Sequence, residues 1–384
     1  MGKSSILLGG VLFLFACQPP SGQTPVVKSS VVSSSSVVSP QSSASGSPEP
    51  TSSATPIESP SPTPAFSSLP VEIIAGTGAK GFQDGPAKLA TFSSLQGLCV
   101  HPTSGDIYIL DTHKIRKLSP DGQVSTVAGS EEAGFQDGSL QEARFNWPGS
   151  CDIDVKGNMF INDLRNFRIR QISNDNKVST VLGNGEAASK DGNLSEARLY
   201  YAENMVITST GKMYFTESYK IRVFFEGKLT TLNAHQLSGD GRQTYRNGPI
   251  QTEATFGSGL NLTKNLKDEI FVSDVGIRAI RKIALDNTVT TFSQEKWDSE
   301  WSFFSTPGDI VYSPKADKFF ISEFLNVYKM DNQGNVSMVA GNRLAFDQNK
   351  PLPFGSIKKM VVVADHIYLA DSGSNQIKRM RIED

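Results

Sequence analysis

Apolar positions along this chain fall in short runs, each stopped by a glycine, a proline or an Asp/Asn turn. The clearest stretch is Val124 to Ile172. Val124-Ser-Thr-Val-Ala-Gly129 is a β-rich run ended by glycine, and Asp137-Gly138 turns the chain. Leu140 to Phe145 has room for one helical turn, and Pro148-Gly149 opens a second strand ending near Val155. Gly157-Asn158 predicts a hairpin into Met159–Ile161, and 163–166 turns into a fourth strand over Phe167–Ile172. Four strands this short cannot each bury a face alone, so the unit must stack against copies of itself.

Copies are present. The first strand recurs at Val71, Val124, Val178, Leu229, Val289 and Val336. Before each second strand stands an apolar plug: Phe92, Phe145, Leu199, Phe256, Phe304 and Phe354. After each third strand stands an acid: Asp111, Asp163, Glu217, Asp274, Glu323 and Asp371. A basic fourth strand follows, as in Lys114-Ile-Arg116-Lys117 and Arg168-Ile-Arg170. Because they recur in every copy, the acids read as parts of the repeat frame rather than as ligands. The Asp84-Gly85, Asp137-Gly138 and Asp191-Gly192 pairs read likewise as turns, since they lack the carboxylate density of a calcium loop.

The pattern VSTVAG, GFQDG, ARFNWPG, GNMFINDLRNFRIRQI resembles the NHL repeat over essentially all of 71–384. The resemblance implies an all-β fold, a six-bladed β-propeller of four-stranded antiparallel blades. The last copy stops after its basic strand, while Val71–Ala75 has no inner strands before it. The N-terminal strand should therefore complete the last blade and leave no open edge.

The residues before 71 belong to other categories. Lys3 and the apolar run Ile6–Ala16 have the form of a signal peptide (1–16), too short to span a bilayer. Leu14-Phe15-Ala16-Cys17 resembles a bacterial lipobox, which implies a lipidated Cys17 and a place in the cell envelope. Gln18 would direct such a lipoprotein to the outer membrane of a Gram-negative cell. The rest of 17–70 is nearly all Ser, Pro, Thr, Val, Ala and Gly, a composition unable to offset its ordering entropy. It predicts a stalk reaching about 40 Å as a coil and at most about 160 Å as polyproline II. Beyond it, 35 basic and 37 acidic side chains nearly cancel, which leaves no nucleic-acid footprint.

Candidate chemistry is sparse. In a propeller the long loops before the inner strands share one face, where ligands usually sit. Two of these loops, 233–256 and 294–306, break the repeat. They offer His235, Asp240, Arg242, Tyr245 and Arg246 from the first, and Trp297 and Trp301 from the second, as a recognition patch for a protein, peptide or glycan. The other reading, a calcium-dependent hydrolase or lactonase-like enzyme at the pore mouth, has only Glu203 and Asn204 as metal ligands among the inner-strand starts. His113 and His235 alone on the loop face cannot make a three-histidine zinc centre. The balance favours a non-enzymatic module with no cofactor. Cys99 and Cys151 take matching places on successive copies, so their side chains should point the same way round the ring and remain free buried thiols.

Overall fold

The computed structural model describes residues 69–233, 235–236, 245–294, 306–341 and 353–383. They form six small antiparallel sheets set as blades around a central channel, an all-β six-bladed propeller. The first blade runs outward from Leu95–Val100 at the channel through Ile107–Asp111 and Lys114–Leu118 to Gln123–Gly129. The other innermost strands are Pro148–Ile153, Met205–Ile207, Leu260–Lys264, Ile310–Ser313 and Ile357–Val363. Four blades also gain a two-residue fifth strand from the Asp-Gly or Asn-Gly turn: Gly85–Pro86, Gly138–Ser139, Gly192–Asn193 and Gly248–Pro249.

The ring closes as its register implies. Val71–Ala75 pairs antiparallel with Gln376–Arg381, with Val71 opposite Met380 and Ala75 opposite Ile377. The strand that would otherwise be a bare edge is thereby covered. Packing between blades uses the plugs: Phe92, Phe145, Leu199, Phe256 and Phe354 are all essentially fully buried. Each such burial contributes about 1.5–3 kcal/mol. Phe304, the remaining expected plug, lies outside the described residues.

The acidic positions are structural, and they do more than close their own turns. In the first blade Asp111 Oδ1 accepts the N–H groups of Ser93 (2.9 Å) and Ser94 (2.7 Å). Its other oxygen takes Arg116 Nη1 at 3.2 Å, with both side chains wholly buried. Arg116 also reaches Asp84 at 2.6 Å and the carbonyls of Thr91 and Gln83. Asp84 in turn accepts the N–H of Thr126 on the outer strand. One guanidinium thus ties the loop, the plug segment, the third strand of the blade and its outer strand. Arg170 with Asp137 and Asp163, and Arg222 with Asp191 and Glu217, repeat the clamp. A buried cation stays stable only when so fully paired. In the fourth blade Asn247 stands where the first three have aspartate, and Arg281 donates to Asn247 Oδ1 and to the carbonyls of Thr255 and Arg246. Burial pushes Asp274 of that blade up to about 6.

The free-thiol expectation is overturned: Cys99 and Cys151 form a disulfide, with Cα atoms 5.7 Å apart. Matching places on successive blades do point the same way, but innermost strands converge on the axis and lie side by side there. Gly97 makes the approach possible, since a Cβ on it would meet the Gly149 carbonyl oxygen at 2.9 Å. The bond sits in the apolar layer shared by the first two blades, with Leu110, Ala128, Phe145 and Ile161 around it.

Candidate functional site: the mouth of the central channel

The starts of the innermost strands bring Gln96, Gly149, Glu203, Asn204, Asn261, Lys358 and Lys359 together around a cavity of about 250 Å³, with Trp147 and Leu164 at its rim. Glu203 is fixed by its backbone. Its carbonyl accepts Asn162 Nδ2 at 2.7 Å and the Ser150 hydroxyl, both from the neighbouring blade. Its N–H donates to Thr216 at 2.8 Å. The carboxylate itself has no hydrogen bond or ion pair among the described residues, and neither has the ammonium of Lys358, which lines the same cavity.

Position explains the charges. Glu203 and Lys358 are both exposed at the mouth, with their neighbours in the cavity wall beside them. Burial raises its carboxyl above the usual range, and the Lys358 charge pulls it partly back. Deeper down, Lys359 is paired: its Nζ meets Asp309 Oδ1 at 2.5 Å and donates to Asn204 Oδ1 at 3.2 Å. Burial raises Asp309 despite that partner. Asp152, pushed up to about 6 by burial, accepts the N–H groups of Ile207 and Ile153 and so joins two blades.

These facts decide how well a divalent cation fits. Glu203 and Asn204 do share the cavity, as the calcium reading requires. The Asn204 carbonyl oxygen, however, already accepts from Lys359, and a metal there would face two ammonium groups. Among the described residues no three His, Cys, Asp or Glu side chains gather as a metal set. The donors therefore do not fit calcium.

The expected recognition patch is only partly visible. Trp297, Trp301, Asp240 and Arg242 lie outside the described residues. His235 falls in the strand His235–Gln236, whose backbone pairs in parallel with Thr255–Phe256. Tyr245 stands 5.3 Å from the Arg281 guanidinium, and the Arg246 carbonyl accepts from it, so both support the fourth-blade clamp.

Several features of the mouth escape the repeat pattern. Lys358-Lys359 is one, two charges inside an innermost strand. Trp147 (φ 58°) is another, and like Phe167 (φ 51°) and Tyr201 (φ 48°) outside the cavity lining it holds left-handed backbone, which costs bulky residues energy. The Trp147 ring is braced by Arg165 at 4.7 Å, and its backbone N–H donates to His113 Nδ1 at 3.1 Å. Phe167, Tyr200 and Tyr201 pack on one another, with Tyr200 and Tyr201 47% and 39% exposed. The sequence does carry a signal for them, because Trp147 and Tyr200-Tyr201 sit just before innermost strands, outside the plug pattern.

No family model matches the chain. Among curated proteins it is 38% identical over 89 residues to the Arabidopsis thaliana chloroplastic protein SUPPRESSOR OF QUENCHING 1, and 32% identical over 103 residues to zebrafish (Danio rerio) Teneurin-3. Each match takes in 22% of this chain, and only 8% and 4% of those relatives' lengths. Similar solved structures include an auxiliary nutrient binding protein from Bacteroides ovatus, with TM-score 0.58 and 12% identity. A Bacteroides thetaiotaomicron protein of unknown function is similar too, with TM-score 0.57 and 16% identity. Both alignments cover 82% of this chain and 76% of the other. A gluconolactonase from Xanthomonas campestris matches with TM-score 0.52 at 11% identity, over 76% of this chain and 87% of its own. At such identities the likeness is one of fold, a six-bladed propeller of the kind these proteins share.

Proposed function

We propose that this chain is a binding module of NHL-repeat type that takes up a small solute at the channel mouth without transforming it. The observation that carries the reading is the mouth itself. Asn204 and Lys359, held by cross-blade hydrogen bonds, help to line a cavity below the usual size of drug-binding pockets, about 300–1,000 Å³. Its described lining has charge and amides but no nucleophile beside a base. A nutrient binding protein among the similar folds agrees with this reading, and a gluconolactonase among them marks the enzymatic alternative. The test is thermal denaturation of the full chain against a panel of amino acids, sugars and organic anions, with and without chelator. At least one solute should raise the melting temperature, be recovered chemically unchanged and act equally with chelator present. A solute recovered altered, or an effect abolished by chelation, would count for an enzyme instead.

The module belongs, on this reading, to a lipoprotein of the cell envelope, anchored at Cys17 and held off the membrane by the stalk 17–70. Cys17→Ser should shift the folded protein from membrane to soluble fractions. Persistence of that variant in the membrane fraction removes the anchor from the proposal.

A further inference from the structure

We infer that the channel-mouth cavity is built for a free α-amino acid with a compact apolar side chain, its ammonium on Glu203 and its carboxylate on Lys358. The inference rests on the channel mouth being the binding site and goes on to name the ligand's chemistry.

Three observations lead there. Glu203 and Lys358 line one cavity with opposite charges, and no ion pair joins them or engages either with another described residue. Both side chains are exposed at the mouth, and a ligand that covers either one without offering an opposite charge displaces its water uncompensated. A neutral sugar would leave both charges unmatched. An anion would satisfy Lys358 and be repelled by Glu203, and a cation would do the reverse. A zwitterion satisfies both. The second observation is a fixed backbone on the Glu203 side, held by Asn162, Ser150 and Thr216, which sets the point from which its carboxylate reaches into the cavity. The third is the rest of the lining. Trp147 and Leu164 give an apolar wall for a side chain, while Gln96 and Asn261 supply amides.

The experiment is titration calorimetry of the full chain with L-leucine, with isoamylamine (leucine without its carboxylate) and with 4-methylpentanoate (leucine without its ammonium). Leucine should bind at least about ten-fold more tightly than either analogue, the loss expected for one charge-assisted contact. The variants should cross over. Glu203→Gln should lose most leucine affinity and keep 4-methylpentanoate binding, and Lys358→Met should lose leucine and keep isoamylamine. Leucine binding no better than its analogues, no leucine binding at all, or variants that weaken all three ligands alike each overturns the inference. D-glucose or another neutral solute binding the same cavity would leave the binding reading standing while removing this one.

Discussion

At the scale of single residues, the arginine clamp shows how one position can decide the state of a whole blade. Arg116, Arg170 and Arg222 each meet an aspartate of the turn whose side chain is 40–44% exposed, so that carboxylate pays little desolvation. Arg281 meets the amide of Asn247 instead. Hydrogen bonds to charged acceptors are worth about 1.5–3 kcal/mol against about 1 for neutral ones. Asn247→Asp should therefore stabilise the protein by about 1 kcal/mol, read as a higher denaturation midpoint in urea with unchanged slope. An unchanged or lower midpoint would show that the fourth-blade clamp differs in more than this atom. The acids of the clamp were legible in the sequence because they recur, and Glu203 was legible as an inner-strand start at the pore mouth; Lys358 was not, because it occurs in one copy only. The meaning of either charge depends on a neighbour from a distant blade, and no local pattern records that.

At the scale of elements, the strands and turns were readable because every copy repeats them under the same packing demand. The fifth strands were not, since a two-residue pairing such as Gly85–Pro86 with the outer strand leaves no periodic trace. The Cys99–Cys151 bond was misjudged for a related reason. Repeat position gives the direction of a side chain within its blade, but not the distance between blades, which shrinks toward the axis. The closing strand offers the sharpest test at this scale. Removing 69–76 takes away the partners of Met380, Arg379, Lys378 and Ile377 and uncovers Phe92, against whose ring Gly76 packs. The loss should be on the order of 3 kcal/mol or more, combining ladder bonds and apolar burial. A truncated chain that melts with the intact one would mean that closure contributes nothing to stability.

At the scale of the whole molecule, the ring is held by two unlike fasteners. A covalent bond joins the first two blades, and a hydrogen-bonded strand from the beginning of the propeller completes its last blade. Between them the channel gathers the strand starts, so the site at its mouth draws its described lining from five of the six blades while no blade holds a site by itself. The closing strand also ties the finished fold to the order of synthesis. Val71 is made ahead of the propeller's other strands and Met380 in the last of them, so Val71–Ala75 waits unpaired through nearly the entire translation of the propeller. A chain that stops short of the segment Gln376–Arg381 never acquires the partner for that strand. It displays a raw β-edge at each end of an unfinished arc, the kind of surface that aggregates or is recognised for degradation. Completion of the propeller is thus checked by the last ladder to form, before the protein has met any ligand.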